Sequence, residues 1–197
     1  MPRWAVWSSA MAPVLLIGGW TVAKARQPAG FDAVRDTISA LAALGATDRW
    51  IMTSALAGVG ACHLATALGL RAAALPGRVV LGIGGLATLL VAALPLPADA
   101  RPAVAHGVVA GMAFGSLGLW PALSWRPLSW CRGRPALAVR RSVALAAAGL
   151  LLLLVGWFLT ELAVGARVGL AERCAAGAQA LWPLVAVLSV RRAARRG

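Results

Sequence analysis

Asp32, Asp36 and Ser39 stand four and three residues apart, with Arg35 beside them. On a helix that spacing sets two carboxylates and a hydroxyl on one face, with a guanidinium in reach of either acid. A second charged pair, Glu172 and Arg173, lies far along the chain, and His106, Thr160 and Glu161 come between the two sets. Brought to one level, Arg35 and Arg173 recognise an anionic or polar headgroup, while Asp36 and Glu172 orient the two guanidinium groups. The same residues admit acid–base work, with His106 or Glu172 as general acid or base and Ser39 as a positioned hydroxyl. Zinc hydrolase sites need three or more converging ligands. The chain has two histidines, His63 and His106, at depths that differ by roughly 10 Å at 1.5 Å per residue, so no metal, haem or other cofactor is expected.

These residues must be positioned by a membrane bundle. A chain of 197 residues with 60% hydrophobic and 13% charged residues and a mean hydropathy of +0.80 is too apolar for a water-soluble domain. Crossing a bilayer core of roughly 30 Å takes about 20 apolar residues. The sequence divides into six such runs, at 5–23, 50–70, 79–96, 103–125, 142–162 and 170–190. The fold class is therefore all-α, one integral membrane domain of six transmembrane helices. The connections are short, so function lies within the bundle or on its faces. The first run has a long apolar core interrupted by Pro13 and Trp20, which favours a retained span over a cleaved signal peptide.

The net charge of +13 is unevenly placed. All six acids, Asp32, Asp36, Asp48, Asp99, Glu161 and Glu172, fall at connections on one side. Arginines without acids crowd the other, as at Arg132, Arg134, Arg140 and Arg141 and at Arg191, Arg192, Arg195 and Arg196. Basic loops are retained in the cytoplasm during insertion, so both termini are expected there, in the cell membrane, with the acidic side outward. Membrane lipids, not nucleic acid, are the expected partners of this charge. Cys131 then lies inside and Cys174 outside. An impermeant thiol reagent applied from outside is expected to label Cys174 in preference to Cys131, and the reverse order would overturn this orientation.

Within the first outer connection, Phe31, Val34, Ile38, Leu41 and Gly45 recur at three and four residues. This spacing predicts an amphipathic surface helix about four turns long, ended by Gly45, with Thr47 or Asp48 capping the second span. Gly107, Gly111 and Gly115, four apart, clear a stripe for close approach of another helix. Trp4, Trp7, Trp20, Trp50, Trp120, Trp125 and Trp130 mark span ends at headgroup level. Trp182 lies within the last span beside Pro183, where a kink is expected. The chain carries no Gly-x-Ser-x-Gly, Walker loop or His-Glu-x-x-His.

The segment from Phe31 through Asp32, Arg35, Asp36 and Ser39 to Leu41, followed by Leu44 and Gly45, resembles the membrane family known as domain of unknown function 998. The stretch Gly169, Leu170, Ala171, Glu172, Arg173 resembles that family's second patch. In this chain Ala40 stands where the family's pattern places an acid after the serine. The resemblance implies a six-span fold and the positions of the two patches, and no established reaction. The family is in turn distantly similar to eukaryotic six-span proteins of the autophagy-modulator type, which implies membrane lipid handling. The expectation is an outward-facing polar pocket built from Arg35, Asp36, Ser39, His106, Glu172 and Arg173, binding or transporting a lipid or other amphiphile. The alternatives are an intramembrane enzyme acting on lipid and an accessory subunit of a membrane complex.

Overall fold

A computed structural model describes residues 1–126 and 136–196. Trp130, Cys131, Arg132 and Arg134 lie outside the described residues. Six long apolar helices are present: α1 (Arg3–Ala25), α3 (Trp50–Gly69), α4 (Leu75–Ala93), α5 (Val104–Leu119), α6 (Arg141–Val164) and α7 (Val168–Ala194), with the short α2 (Ile38–Leu41) between the first two. Each of the six, α5 together with the 3-10 turn that extends it to Leu123, is long and apolar enough to cross a membrane, and the described residues contain no strand. The chain is thus the all-helical, multi-pass membrane protein that its composition predicts.

The helices close into a ring in which α1 packs on α3, α3 on α4, α4 on α5, α5 on α6, α6 on α7, and α7 back on α1. Two glycines let α3 and α4 meet at backbone distance. A Cβ on Gly60 would stand 2.7 Å from Gly85 O, and one on Gly85 would stand 2.8 Å from Gly60 O. Lipid offers no hydrophobic drive between helices, so such close packing is what binds the pair. The predicted stripe at Gly107, Gly111 and Gly115 has a different fate: no atom lies within 4 Å of a Cβ built at any of them. Small residues at that spacing permit close approach, but among the described residues no helix makes it.

Helix ends follow local chemistry. Pro76, in the first turn, needs no N–H partner there and starts α4 at Leu75, four residues earlier than predicted. Pro121 stops α5 at Leu119, and the chain continues as a 3-10 turn over Trp120–Leu123. Trp120 is 1% exposed and packs in the core, not in a headgroup belt, whereas Trp7 and Trp50 stand 71% and 66% exposed. Neither Thr47 nor Asp48 caps α3, whose N-cap is Arg49 with no side-chain hydrogen bond. The helix α7 runs on through Pro183.

All six carboxylates gather at one end of the bundle. Asp32, Asp36, Asp48 and Asp99 lie in its connections, Glu161 in the last turn of α6 and Glu172 in the first turns of α7. Both termini lie at the opposite, basic end. There Arg78 reaches back to Ala67 O at 2.8 Å and Leu68 O at 3.1 Å, closing the C-terminal carbonyls of α3. Arg126 does the same for the next loop, donating to Arg71 O and Ala73 O at 3.0 and 3.1 Å. Part of the arginine excess therefore holds connections together.

Candidate functional site

The loop between α1 and α3 does not form the four-turn helix that its apolar spacing predicts. Short polar side chains offer the backbone other partners. Asp32 Oδ1 accepts from Val34 N at 2.8 Å, and Asp36 Oδ2 accepts from Asp32 N at 2.7 Å, folding residues 32–36 into a turn. Thr37, in extended conformation, then caps a fresh helix by accepting from Ala40 N at 3.0 Å. Only Ile38–Leu41 is helical. Gly45 serves close approach to the next connection in place of ending a helix: a Cβ there would meet Ala98 Cα at 3.1 Å and its carbonyl group closer still, while Leu44 N donates to Leu96 O at 3.0 Å.

The turned segment is fastened to the start of α7. Glu172, 3% exposed, accepts from Ile38 N through Oε2 and from Ser39 Oγ at 3.1 Å through Oε1. Ile38 N is the first amide of α2 and has no intrahelical acceptor, so a carboxylate from a distant helix fills the vacancy. Arg173 Nη1 donates to Ala33 O and Asp36 O, both at 2.8 Å, and to Gly169 O at 2.9 Å. Leu170 N adds a bond to Val34 O at 3.0 Å. Gly169 makes room for all of this, since a Cβ there would stand 2.8 Å from Ala33 O and nearer still to Asp36 O. Glu172, Arg173, Leu170 and Gly169 thus form one latch on residues 33–39.

Four of the six expected site residues meet here: Asp36, Ser39, Glu172 and Arg173. Asp36 contributes its backbone carbonyl, because its carboxylate is turned back on Asp32. Arg35 points away, 77% exposed, with Nε 3.8 Å from Asp32 Oδ2, an exposed pair of small energetic weight. His106 is held elsewhere, its Nδ1 2.8 Å from Leu94 O beyond the end of α4. Thr160 and Glu161 are likewise occupied outside the latch: Glu161 accepts from Trp157 Nε1 at 3.2 Å and from Arg167 N at 2.7 Å.

Beneath the latch a partly open cavity of about 60 Å³ lies between the helices. Ser39 and Glu172 stand at its upper end, with Leu16, Leu56, Val59, Val91, Ala110 and Ala113 along its walls. At its lower end come His63, Phe114, Leu117 and Gln179. Gln179 lies seven residues beyond Glu172 on α7, so the cavity extends about 10 Å inward at 1.5 Å per residue. Gln179 Nε2 donates to Phe114 O at 2.8 Å, and Thr88, also in the wall, donates to Gly84 O at 2.8 Å. His63 is 1% exposed, and neither ring nitrogen has a hydrogen-bond partner.

In the sequence the depth of His63 argues only against a metal or haem shared with His106, and Gln179 draws no attention. Both carried a usable signal, because a polar side chain inside a span is costly and so marks a bundle interior or a wet cavity.

A family model described as Protein of unknown function (DUF998) matches residues 10–189. No curated protein and no solved structure matches the chain.

Proposed function

The chain belongs to the DUF998 family, and we propose that it binds a lipid or other amphiphile within the bundle, as a carrier or transporter of it. The cavity carries this reading. Its walls are mostly aliphatic, with Ser39 and Glu172 at the latch end, Thr88 in the wall and His63 and Gln179 deeper. Ile38 and Ser39 of the latched segment line it. Apolar lining with a few convergent polar groups is the common make-up of a small-molecule site. At about 60 Å³ the space admits a single narrow chain segment and not a two-chain lipid. Arg173 Nη2 is buried without a protein partner, which leaves donors for a phosphate or carboxylate headgroup at the latch.

In this reading the acidic end faces outward and the basic end the cytoplasm, because uncompensated arginine resists translocation. The latch then acts as the outer cover of the site. Catalysis through His106 has less support, since Leu94 O engages that imidazole and the residue is absent from the cavity wall.

Native mass spectrometry of gently solubilised protein tests the proposal. Wild type and Arg35→Ala are expected to release the same bound amphiphile. Ala176→Leu, which fills the cavity one turn below Glu172, is expected to lose it while eluting and melting as a folded protein. An adduct that survives Ala176→Leu sinks the cavity reading.

A further inference from the structure

The most unusual group in the molecule is His63. It lies thirteen residues into α3, about 20 Å from the start of that helix and so near the bundle centre. A neutral imidazole has one N–H to donate and one lone pair to offer, and both are unmet here in a side chain that is 1% exposed. Leaving one buried polar group unpaired costs about 1–3 kcal/mol. The other polar residues of the cavity are spoken for: Glu172 by Ile38 N and Ser39, Thr88 by Gly84 O, and Gln179 Nε2 by Phe114 O. Among the polar residues of the cavity, His63 alone keeps its capacity whole, in the wall of the cavity beneath the latch.

We propose that the deep end of the cavity is a binding subsite for an uncharged hydrogen-bonding group, and that the ligand is a single-chain amphiphile bearing a hydroxyl or carbonyl function that pairs with His63. The inference rests on the amphiphile reading above and narrows it. A hydroxyl both donates and accepts, so it can answer either nitrogen of the ring. An ionised group is disfavoured at this depth, because no carboxylate or guanidinium lines the lower half of the cavity and an unpaired charge within a bilayer is costly. Water fits less well than a ligand. It must draw two to four polar partners from a cavity whose walls are mostly aliphatic, whereas an amphiphile covers those walls with its own chain.

The test uses full-length protein in lipid nanodiscs, with 1-decanol and n-decane as matched probes and histidine labelled with 15N. The chain has two histidines, so the imidazole signal of each is assigned by the loss of the other. Decanol is expected to move the His63 ring resonances and leave those of His106 in place, and to half-saturate at about tenfold lower concentration than decane. Tenfold corresponds to about 1.4 kcal/mol, the scale of one net hydrogen bond. His63→Leu is expected to level the two probes, and His63→Gln to restore part of the preference. If both probes bind wild type equally and the His63 resonances stay still, the subsite is refuted while the amphiphile reading stands. If neither probe binds, both fall. Should His63→Leu fail to fold, the wild-type resonances and the His63→Gln affinities decide the matter.

Discussion

Glu172→Ala is expected to destabilise the protein by about 3 kcal/mol, and Glu172→Gln by about 1 kcal/mol. The difference follows from what the carboxylate does. It accepts from Ile38 N with one oxygen and from Ser39 Oγ with the other, at 3% exposure. Alanine removes both acceptors and leaves a void beside two orphaned donors, one of them a backbone amide that cannot turn elsewhere. Glutamine keeps a carbonyl oxygen for Ile38 N, and its amide faces Ser39, whose hydroxyl rotates from donor to acceptor. The measurement is unfolding in mild detergent, followed by limited proteolysis of residues 31–41 at a temperature where wild type resists. Glutamine as damaging as alanine would mean that the negative charge, and not the pair of hydrogen bonds, holds the segment down. Ligand retention is expected to follow stability in this series, since residues 38 and 39 line the cavity as well as closing the latch.

The contrast between spans and site shows where sequence reasoning stops. A run of about 20 apolar residues declares a span by its length alone, and the helix ends moved by only a few residues. Depth along a span is legible for the same reason: the outer level of Glu172 and Arg173 follows from the sequence, and the surface segment bearing Ser39, expected above them, does meet them. Azimuth is another matter. His106 shares roughly that level, yet it faces Leu94 O. The depth of His63 argues only against a metal shared with His106, whereas its direction puts it on the cavity wall. Rotation about a helix axis is fixed by which neighbours pack on it, and no single span contains that information.

Glycine and aspartate misled in instructive ways. The strict spacing of Gly107, Gly111 and Gly115 was the most regular small-residue signal, and it faces open space. The contacts that use a missing side chain, Gly60 with Gly85 and Gly169 with the carbonyls of Ala33 and Asp36, join residues far apart in sequence and leave no periodic trace. In the first connection, apolar spacing argued for one long helix. The capacity of Asp32 and Thr37 to bond their own backbone argued for a turn followed by a short one, and the local hydrogen bonds prevailed.

Gly169→Val is expected to open the latch at a cost of about 3 kcal/mol. The new side chain would press on Ala33 O and Asp36 O, the same two oxygens that Arg173 Nη1 holds at 2.8 Å. Residues 33–36 therefore cannot retreat from the valine without breaking the arginine contacts and the Leu170 N to Val34 O bond. At about 0.6 to 1 kcal/mol for each such bond in a membrane protein, their loss together accounts for that figure. Because the clash and the bonds act on one segment, the effects cannot add. The double variant Gly169→Val with Arg173→Ala is expected to be no less stable than the worse single variant, a coupling of 1 kcal/mol or more in a double-mutant cycle. Gly111→Val supplies the control, since nothing lies within 4 Å of its Cβ, and its melting temperature is expected to match wild type. Strict additivity between positions 169 and 173 would show that the arginine and the glycine stabilise separate parts of the molecule, and the latch would cease to be a single mechanical unit over the cavity.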